Sequence, residues 1–142
     1  MFKLVHFEEW HTFKMLDQKC NIDVKELFLS GKGKSLESTN SFTGFLNGEP
    51  VVCGGILEIW QNRGQVWCIF NEECKYNFVP VFRGIRNFIR NSSFKRIEIC
   101  VPFGFKKGMR RAEMLGFKLE CAMAKKYLPD GSDCSIYSLV RD

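Results

Sequence analysis

The stretch Arg110–Glu120 most constrains what this chain can fold into, because it joins a helix to a strand through a single residue. Its sequence, RRAEMLGFKLE, is amphipathic at helical spacing as far as Leu115. Gly116 follows, and glycine ends a helix in the left-handed backbone conformation without a Cβ penalty. Phe117 and Leu119 then alternate with charged residues, as in a strand. The pattern predicts a mixed α/β protein with a positive φ at Gly116.

The first half of the chain predicts one strand, two helices and a hairpin. MFKLVHF alternates as a strand does, and EEWHTFKMLDQKC places Trp10, Phe13 and Leu16 at helical spacing. DVKELFLSG predicts a second, short helix. Asn47-Gly48 lies between two apolar runs and is the commonest turn signal of a two-stranded hairpin.

The second half predicts four further strands and two helices. QVWCIF, RIEICVP, KLECAMAKKYL and CSIYSLVR read as strands, and KKGMRRAEML reads as a helix. A second helix, before RIEICVP, carries its apolar stripe on Phe78, Phe82, Ile85 and Ile89. The predicted fold class is therefore α/β with a mixed (α+β) sheet, in the order β-α-α-β-β-β-α-β-α-β-β. We expect a single domain over residues 1–142.

Composition excludes several classes of protein. Apolar residues make up 45% of the chain, which is enough for one core and argues against disorder. No apolar run approaches the roughly 18 residues of a membrane span, and the N-terminus does not resemble a signal peptide. The seven cysteines show no close pairs, so we expect reduced thiols in a cytoplasmic protein and no metal site.

Charge is spread unevenly along the chain. Residues 1–74 hold 7 Lys/Arg and 10 Asp/Glu, whereas residues 75–142 hold 14 and 6. A basic half predicts an anionic partner, which leaves a phosphorylated cofactor, an acidic protein and nucleic acid as alternatives. No recognition motif supports nucleic acid. Its contacts would come from the basic residues Arg83, Arg86, Arg90, Lys106, Lys107, Arg110 and Arg111.

The element order, together with the Leu115-Gly116-Phe117 corner, resembles the Gcn5-related N-acetyltransferase (GNAT) superfamily. A closer resemblance is to a subgroup encoded by tailed bacteriophages, which includes the internal virion protein A group. It rests on three stretches that cover most of Gln65–Arg141. These are VWCIFNEECKYNFVPVFRGIRNFI, GMRRAEMLGFKLE and YLPDGSDCSIYSLV. Membership of this subgroup implies host cytoplasm or the virion as the location.

The superfamily resemblance implies acetyl-CoA as the cofactor and an amine as the acceptor. It implies that the fourth and fifth strands run parallel and splay apart, with the cofactor in the gap between them. The pantetheine arm then pairs with the backbone of Trp67, Cys68, Ile69 and Phe70. The pyrophosphate lies at the start of the next helix, near Lys75, Asn77 and Phe78, where free N–H groups favour an anion. Lys75 and Arg83 add charge-assisted contacts.

Two acidic residues are candidates for the general base of such a reaction. Glu58 on the third strand and Glu98 on the fifth each lie within an apolar run. A buried carboxylate has a raised pKa and can accept a proton from an ammonium substrate. Alternation along each strand leaves solvent exposure as the other interpretation.

Three positions depart from the superfamily pattern. The segment NEECKYNFVPVF has no glycine where the cofactor loop is usually glycine-rich, Ala112 stands where a tyrosine is common, and Phe105 stands where an asparagine is common. The sequence therefore leaves two hypotheses open. One is an acetyl-CoA-dependent N-acyltransferase, and the other is a non-catalytic GNAT-fold phage protein used in virion morphogenesis or host-factor binding.

Overall fold

The computed structural model describes residues 1–14, 37, 40–71 and 78–142. Within them, seven strands form one mixed sheet in the order β1-β2-β3-β4-β5-β7-β6. The strands are β1 (Phe2–His6), β2 (Asn40–Leu46), β3 (Glu49–Trp60), β4 (Arg63–Phe70), β5 (Arg96–Pro102), β6 (Lys118–Ala124) and β7 (Cys134–Val140). The helices are α1 (Phe78–Arg90), α2 (Lys106–Met114) and a 3-10 helix (Glu9–Lys14). The predicted fold class is confirmed.

The main core lies between α1, α2 and one side of the sheet, which we call the helix face. Val52, Val66 and Ile97 cover this side of the sheet, and Phe82 and Ile85 on α1 pack against it. The opposite side is the N-terminal face. There the Phe7 ring meets the Trp67 ring edge-on at 5.1 Å, and His11 bonds Thr43.

The hairpin between β2 and β3 forms as predicted. Asn47 and Gly48 occupy its turn with φ values of +51° and +84°. Both residues therefore adopt the left-handed conformation that this kind of two-residue turn requires. β1 to β4 follow one another as an antiparallel meander, which places β4 in the middle of the sheet.

The pairing of β4 with β5 is parallel and short. It joins Arg63 to Arg96, Gly64 to Ile97 and Gln65 to Glu98, and it extends to no other residue of either strand. β5 pairs along its whole length with β7 on its other side. Together with β7 it therefore diverges from β4. The predicted parallel, splayed pair of strands is confirmed, with α1 as the connection between them.

The first predicted helix begins as a 3-10 helix and not as an α-helix. The residues from Glu9 form a 3-10 helix, in which the Thr12 hydroxyl donates to the carbonyl of Glu9 at 2.7 Å. Trp10 is 56% exposed, whereas His11 and Thr12 are buried. The helical spacing of Trp10, Phe13 and Leu16 therefore does not produce an α-helix in the described residues, because the tighter turn presents different residues to the sheet; Leu16 lies outside them. The second predicted helix, within residues 23–31, lies outside the described residues.

None of the helices in the described part of the chain is both long enough and apolar enough to cross a membrane.

Candidate functional site

A wedge-shaped gap opens between β4 and β5 beyond the Gln65–Glu98 pair. We call this pair of residues the apex of the gap. Past this pair, residues 66–70 of β4 keep their pairing to β3, whereas β5 continues in its pairing to β7. Backbone N–H and C=O groups need partners when they are shielded from water. The β5 side of this half-strand is therefore an edge that can pair with an extended ligand.

The half of β4 beyond the apex contains the four predicted pantetheine-binding residues. Trp67, Ile69 and Phe70 are buried, and Cys68 is partly buried. Phe70 is the last residue of β4. Its side chain lies on the helix face, where its ring stacks on Phe82 with ring centroids 5.7 Å apart. The Arg111 guanidinium of α2 lies 4.4 Å from the centre of the Phe70 ring, which places a cation beside the end of the strand.

The predicted phosphate contacts are described only in part. Lys75 and Asn77 lie outside the described residues. Phe78 is the first residue of α1, whose first turn contains no acidic side chain, and Arg83 is exposed one turn further along. The first turn of α1, as the structure describes it, therefore places no carboxylate of its own at the positive end of the helix dipole.

Glu98 lies at the apex and is held by two arginines. Its carboxylate accepts from Arg63 Nε and, at 3.2 Å, from Arg63 Nη2. Arg96 Nε lies 3.4 Å from the same carboxylate, and Arg96 Nη2 also donates to Glu120 at 2.9 Å. The hydrogen bond from Arg63 is the main reason that the pKa of Glu98 lies below its ordinary value of 4.5, although burial opposes the shift. The expectation of a raised pKa is therefore wrong for Glu98.

Glu58 is exposed near the end of β3. It pairs with Gly64, which places its side chain on the helix face, whereas Glu98 pairs with Gln65 and points to the N-terminal face. The structure thus does not bring the two predicted bases together, and only Glu98 lies at the gap.

A polar bridge crosses the gap just beyond the apex. Gln65 Nε2 on β4 donates to Cys100 Sγ on β5 at 3.3 Å. The hydroxyl of Tyr127, which follows β6, lies near the Cys100 thiol, and each group shifts the pKa of the other. Burial is the main reason that the pKa of Cys100 is raised to about 12. Cys100 is therefore a neutral thiol and a poor nucleophile, since the thiolate is the reactive form.

Sequence reasoning missed the polar bridge and Arg63. A signal was present, because Arg63 and Gln65 alternate with apolar residues in β4, and Glu98 and Cys100 share one side of β5. In the observed parallel register, these four side chains share one face of the sheet.

Two of the departures from the GNAT pattern lie in the described residues. Ala112 is 1% exposed, within the core beneath α2. Phe105 precedes the first turn of α2 and provides no side-chain hydrogen bond to cap it. Neither position offers a polar group to the gap.

The cysteines in the described residues are free thiols. In that same part of the chain, no three His, Cys, Asp or Glu side chains are arranged to hold a metal ion.

Solved structures with the same architecture include acetyltransferases. A GNAT-family acetyltransferase from Streptococcus pneumoniae has a TM-score of 0.70 at 12% identity, with 100% of each chain covered. A ribosomal-protein-S5-alanine acetyltransferase from Vibrio fischeri has a TM-score of 0.71 at 14% identity, with 99% of this chain and 93% of that chain covered. An aminoglycoside acetyltransferase in complex with coenzyme A has a TM-score of 0.67 at 14% identity, with 99% of this chain and 95% of that chain covered.

No protein-family model matches the chain, and no curated protein matches it. At 12–14% identity the structural similarity shows the fold alone, and that fold is the GNAT acetyltransferase fold.

Proposed function

We propose that the protein is a CoA-dependent N-acyltransferase that transfers an acetyl group from acetyl-CoA to an amine. The observation that carries the proposal is the early end of the β4–β5 pairing, which leaves residues 66–70 of β4 with a backbone edge facing the gap. The amide groups of a pantetheine arm fit such an edge, because they can pair with it as another strand does. A neighbour with this fold has been solved with coenzyme A.

The residues around the gap fit the remainder of the cofactor. In this proposal the backbone of Trp67, Cys68, Ile69 and Phe70 holds the pantetheine arm, and the start of α1 at Phe78 holds the pyrophosphate. Arg83 adds a charge-assisted contact, together with Lys75 and Asn77, which precede α1 in the sequence. When bound, acetyl-CoA supplies the activated acetyl group.

Glu98 has the better position of the two proposed bases. Its lowered pKa keeps the carboxylate ionised near neutral pH, so that it is able to accept a proton from an acceptor ammonium group. The same shift makes it a weak base, and its arginine partners hold it in one place at the apex. Glu58 is the alternative base. It lies on the opposite face and is exposed, so a substrate can reach it.

The second candidate function is a non-catalytic GNAT-fold phage protein, used in virion morphogenesis or in binding an acidic host protein. The observation that favours it is Ala112, because a buried methyl group supplies no proton where related enzymes carry a hydroxyl. The subgroup resemblance and the basic second half of the chain support the same alternative. Free thiols fit the reducing cytoplasm for either function.

Calorimetric titration with CoA and acetyl-CoA tests the proposal. We expect saturable binding that Arg83→Ala weakens, because the variant removes a cation beside the start of α1. Arg90→Ala is the matched control, since Arg90 is equally exposed at the far end of the same helix and should leave affinity unchanged. No binding of the wild-type protein at millimolar CoA would contradict the enzyme and leave the non-catalytic phage protein.

A further inference from the structure

The polar bridge Gln65–Cys100–Tyr127 occupies the narrowest part of the gap. The last paired residues are Gln65 and Glu98, so Cys100 lies two residues beyond the apex on β5. The Gln65 side chain reaches forward to this residue across the space that the diverging backbones leave. The bridge therefore limits how far toward the apex a ligand in the gap can extend on the N-terminal face.

The neighbours of the bridge fix it in place. Cys100 is surrounded by the buried Cys134 on β7, by the Tyr127 hydroxyl and by the Gln65 amide. On the other side of Gln65, the Arg63–Glu98 ion pair links the same two strands. Moving Gln65 aside would break its bond to the Cys100 sulfur, so in the described structure the amide lies across the gap beside the Arg63–Glu98 ion pair.

We infer that Gln65 determines the acyl-chain length that the gap accepts, and that its side chain restricts the thioester to a short acyl group such as acetyl. This inference rests on the proposed function, because it assigns the gap to an acyl-CoA. A longer acyl chain that enters from the open end of the gap meets the Gln65 amide and the Cys100 sulfur. Removing the Gln65 side chain leaves space between the buried Trp67 and the Cys100 sulfur, which further methylene groups can occupy.

The experiment compares the affinities of acetyl-CoA and butyryl-CoA by calorimetry. Wild-type protein should prefer acetyl-CoA, and Gln65→Ala should shift the ratio by about tenfold toward butyryl-CoA, since two methylene groups gain burial. Gln65→Asn should shift it less, and Gln65→Met, which keeps the length of the side chain, should preserve the acetyl preference. Gln61→Ala is the control, because Gln61 is exposed in the turn before β4.

The outcomes separate this inference from the proposed function. CoA binding with the same acyl preference in wild type and Gln65→Ala overturns the inference and leaves the enzyme in place. Loss of the acetyl preference in Gln65→Met as well as in Gln65→Ala also overturns it, because size would then not be the cause. Failure of the wild-type protein to bind CoA, acetyl-CoA or butyryl-CoA overturns both.

Discussion

Gly116 shows how one residue fixes the connection between two elements. Its φ is +97°, which confirms the predicted left-handed conformation. The Gly116 N–H donates to the carbonyl of Glu113, and the Phe117 N–H donates to the carbonyl of Ala112, both at 3.0 Å. This pair of bonds is a Schellman cap, which satisfies the last carbonyls of α2 and directs Phe117 into the core.

Gly116→Val should destabilise the protein by about 1 kcal/mol or more. No atom lies within 4 Å of a Cβ built at Gly116, so the cost comes from the backbone conformation and not from a clash. For a chain of this size the melting temperature should fall by roughly 2–4 °C. Lys118→Val, at an exposed strand position, is the control. An unchanged melting temperature for Gly116→Val would contradict the account of the corner.

His11 makes stability depend on pH near neutrality. Its Nδ1 accepts from the Glu8 backbone N–H at 3.2 Å and lies 2.7 Å from Thr43 Oγ1, so the neutral ring carries its proton on Nε2. Burial lowers the pKa of His11 from its ordinary value of 6.5, despite the opposing charges of Glu8 and Glu37. The unfolded chain therefore binds a proton at a higher pH than the folded chain does.

The free energy of unfolding should accordingly be highest above about pH 6.5 and should decline as the pH falls below that value. Urea denaturation at pH 7.5, 6.5 and 5.5 measures the decline. His11→Gln should remove it, whereas His6→Gln should retain it because His6 is exposed. A decline of equal size in His11→Gln would assign the effect to other groups.

Glu98 stabilises the folded protein when it is charged, whereas His11 does so when it is neutral. Because its folded pKa is lowered, its contribution is present above about pH 4.5 and is lost as the pH falls through the folded pKa. Glu98→Gln should therefore lower the free energy of unfolding at pH 7 by roughly 1–3 kcal/mol, since charge-assisted bonds to Arg63 are lost. The difference between the two proteins should shrink in acid. A difference that is the same at pH 7 and pH 3 would contradict the ion pair.

At the scale of elements, the C-terminal end of α1 is held by Arg141, which follows β7. The Arg141 guanidinium donates to the carbonyls of Ile89, Arg90 and Phe94 at 3.2, 3.1 and 2.7 Å, and to Ser92. The last carbonyls of a helix lack partners within the helix, and a cation there also complements its dipole. One side chain thus joins the end of the chain to the helix that crosses from β4 to β5.

Arg141→Lys should destabilise the protein by about 1–3 kcal/mol, because an ammonium group cannot reproduce several bonds made in the plane of a guanidinium. Chemical denaturation measures the loss. Arg110→Lys is a matched control, since Arg110 is exposed on α2. Equal stability of the two variants would mean that the bonds from Arg141 contribute little.

The elements could be predicted from sequence where local signals determine them. The Asn47-Gly48 turn, the Gly116 corner and the apolar stripe of α1 each specify a backbone conformation within a few residues. The 3-10 helix could not be predicted, because the contacts of His11 and Thr12 with the sheet depend on tertiary packing. The charge state of Glu98 could not be predicted either, since Arg63 is 35 residues away along the chain.

At the scale of the whole molecule, one sheet is built from two units whose strands, in the part of the chain that the structure describes, pair with each other at three positions. β1 to β4 form one antiparallel unit and β5, β7 and β6 form the other. Parallel neighbours and a helical crossover follow from the order of elements, which is why the splay could be predicted. The side chains that line the apex come from both units. The location of the site could therefore be predicted from the sequence, whereas identifying its lining residues required the structure.

Hydrogen exchange of the backbone amides in β4, with and without CoA, is the most direct test of the central claim that the gap binds the cofactor. CoA should slow exchange in residues 66–70, which lie beyond the last β4–β5 pair. Exchange in residues 63–65, which are already paired, should change little. Unchanged exchange throughout β4 at millimolar CoA, or protection confined to other strands, would contradict the account.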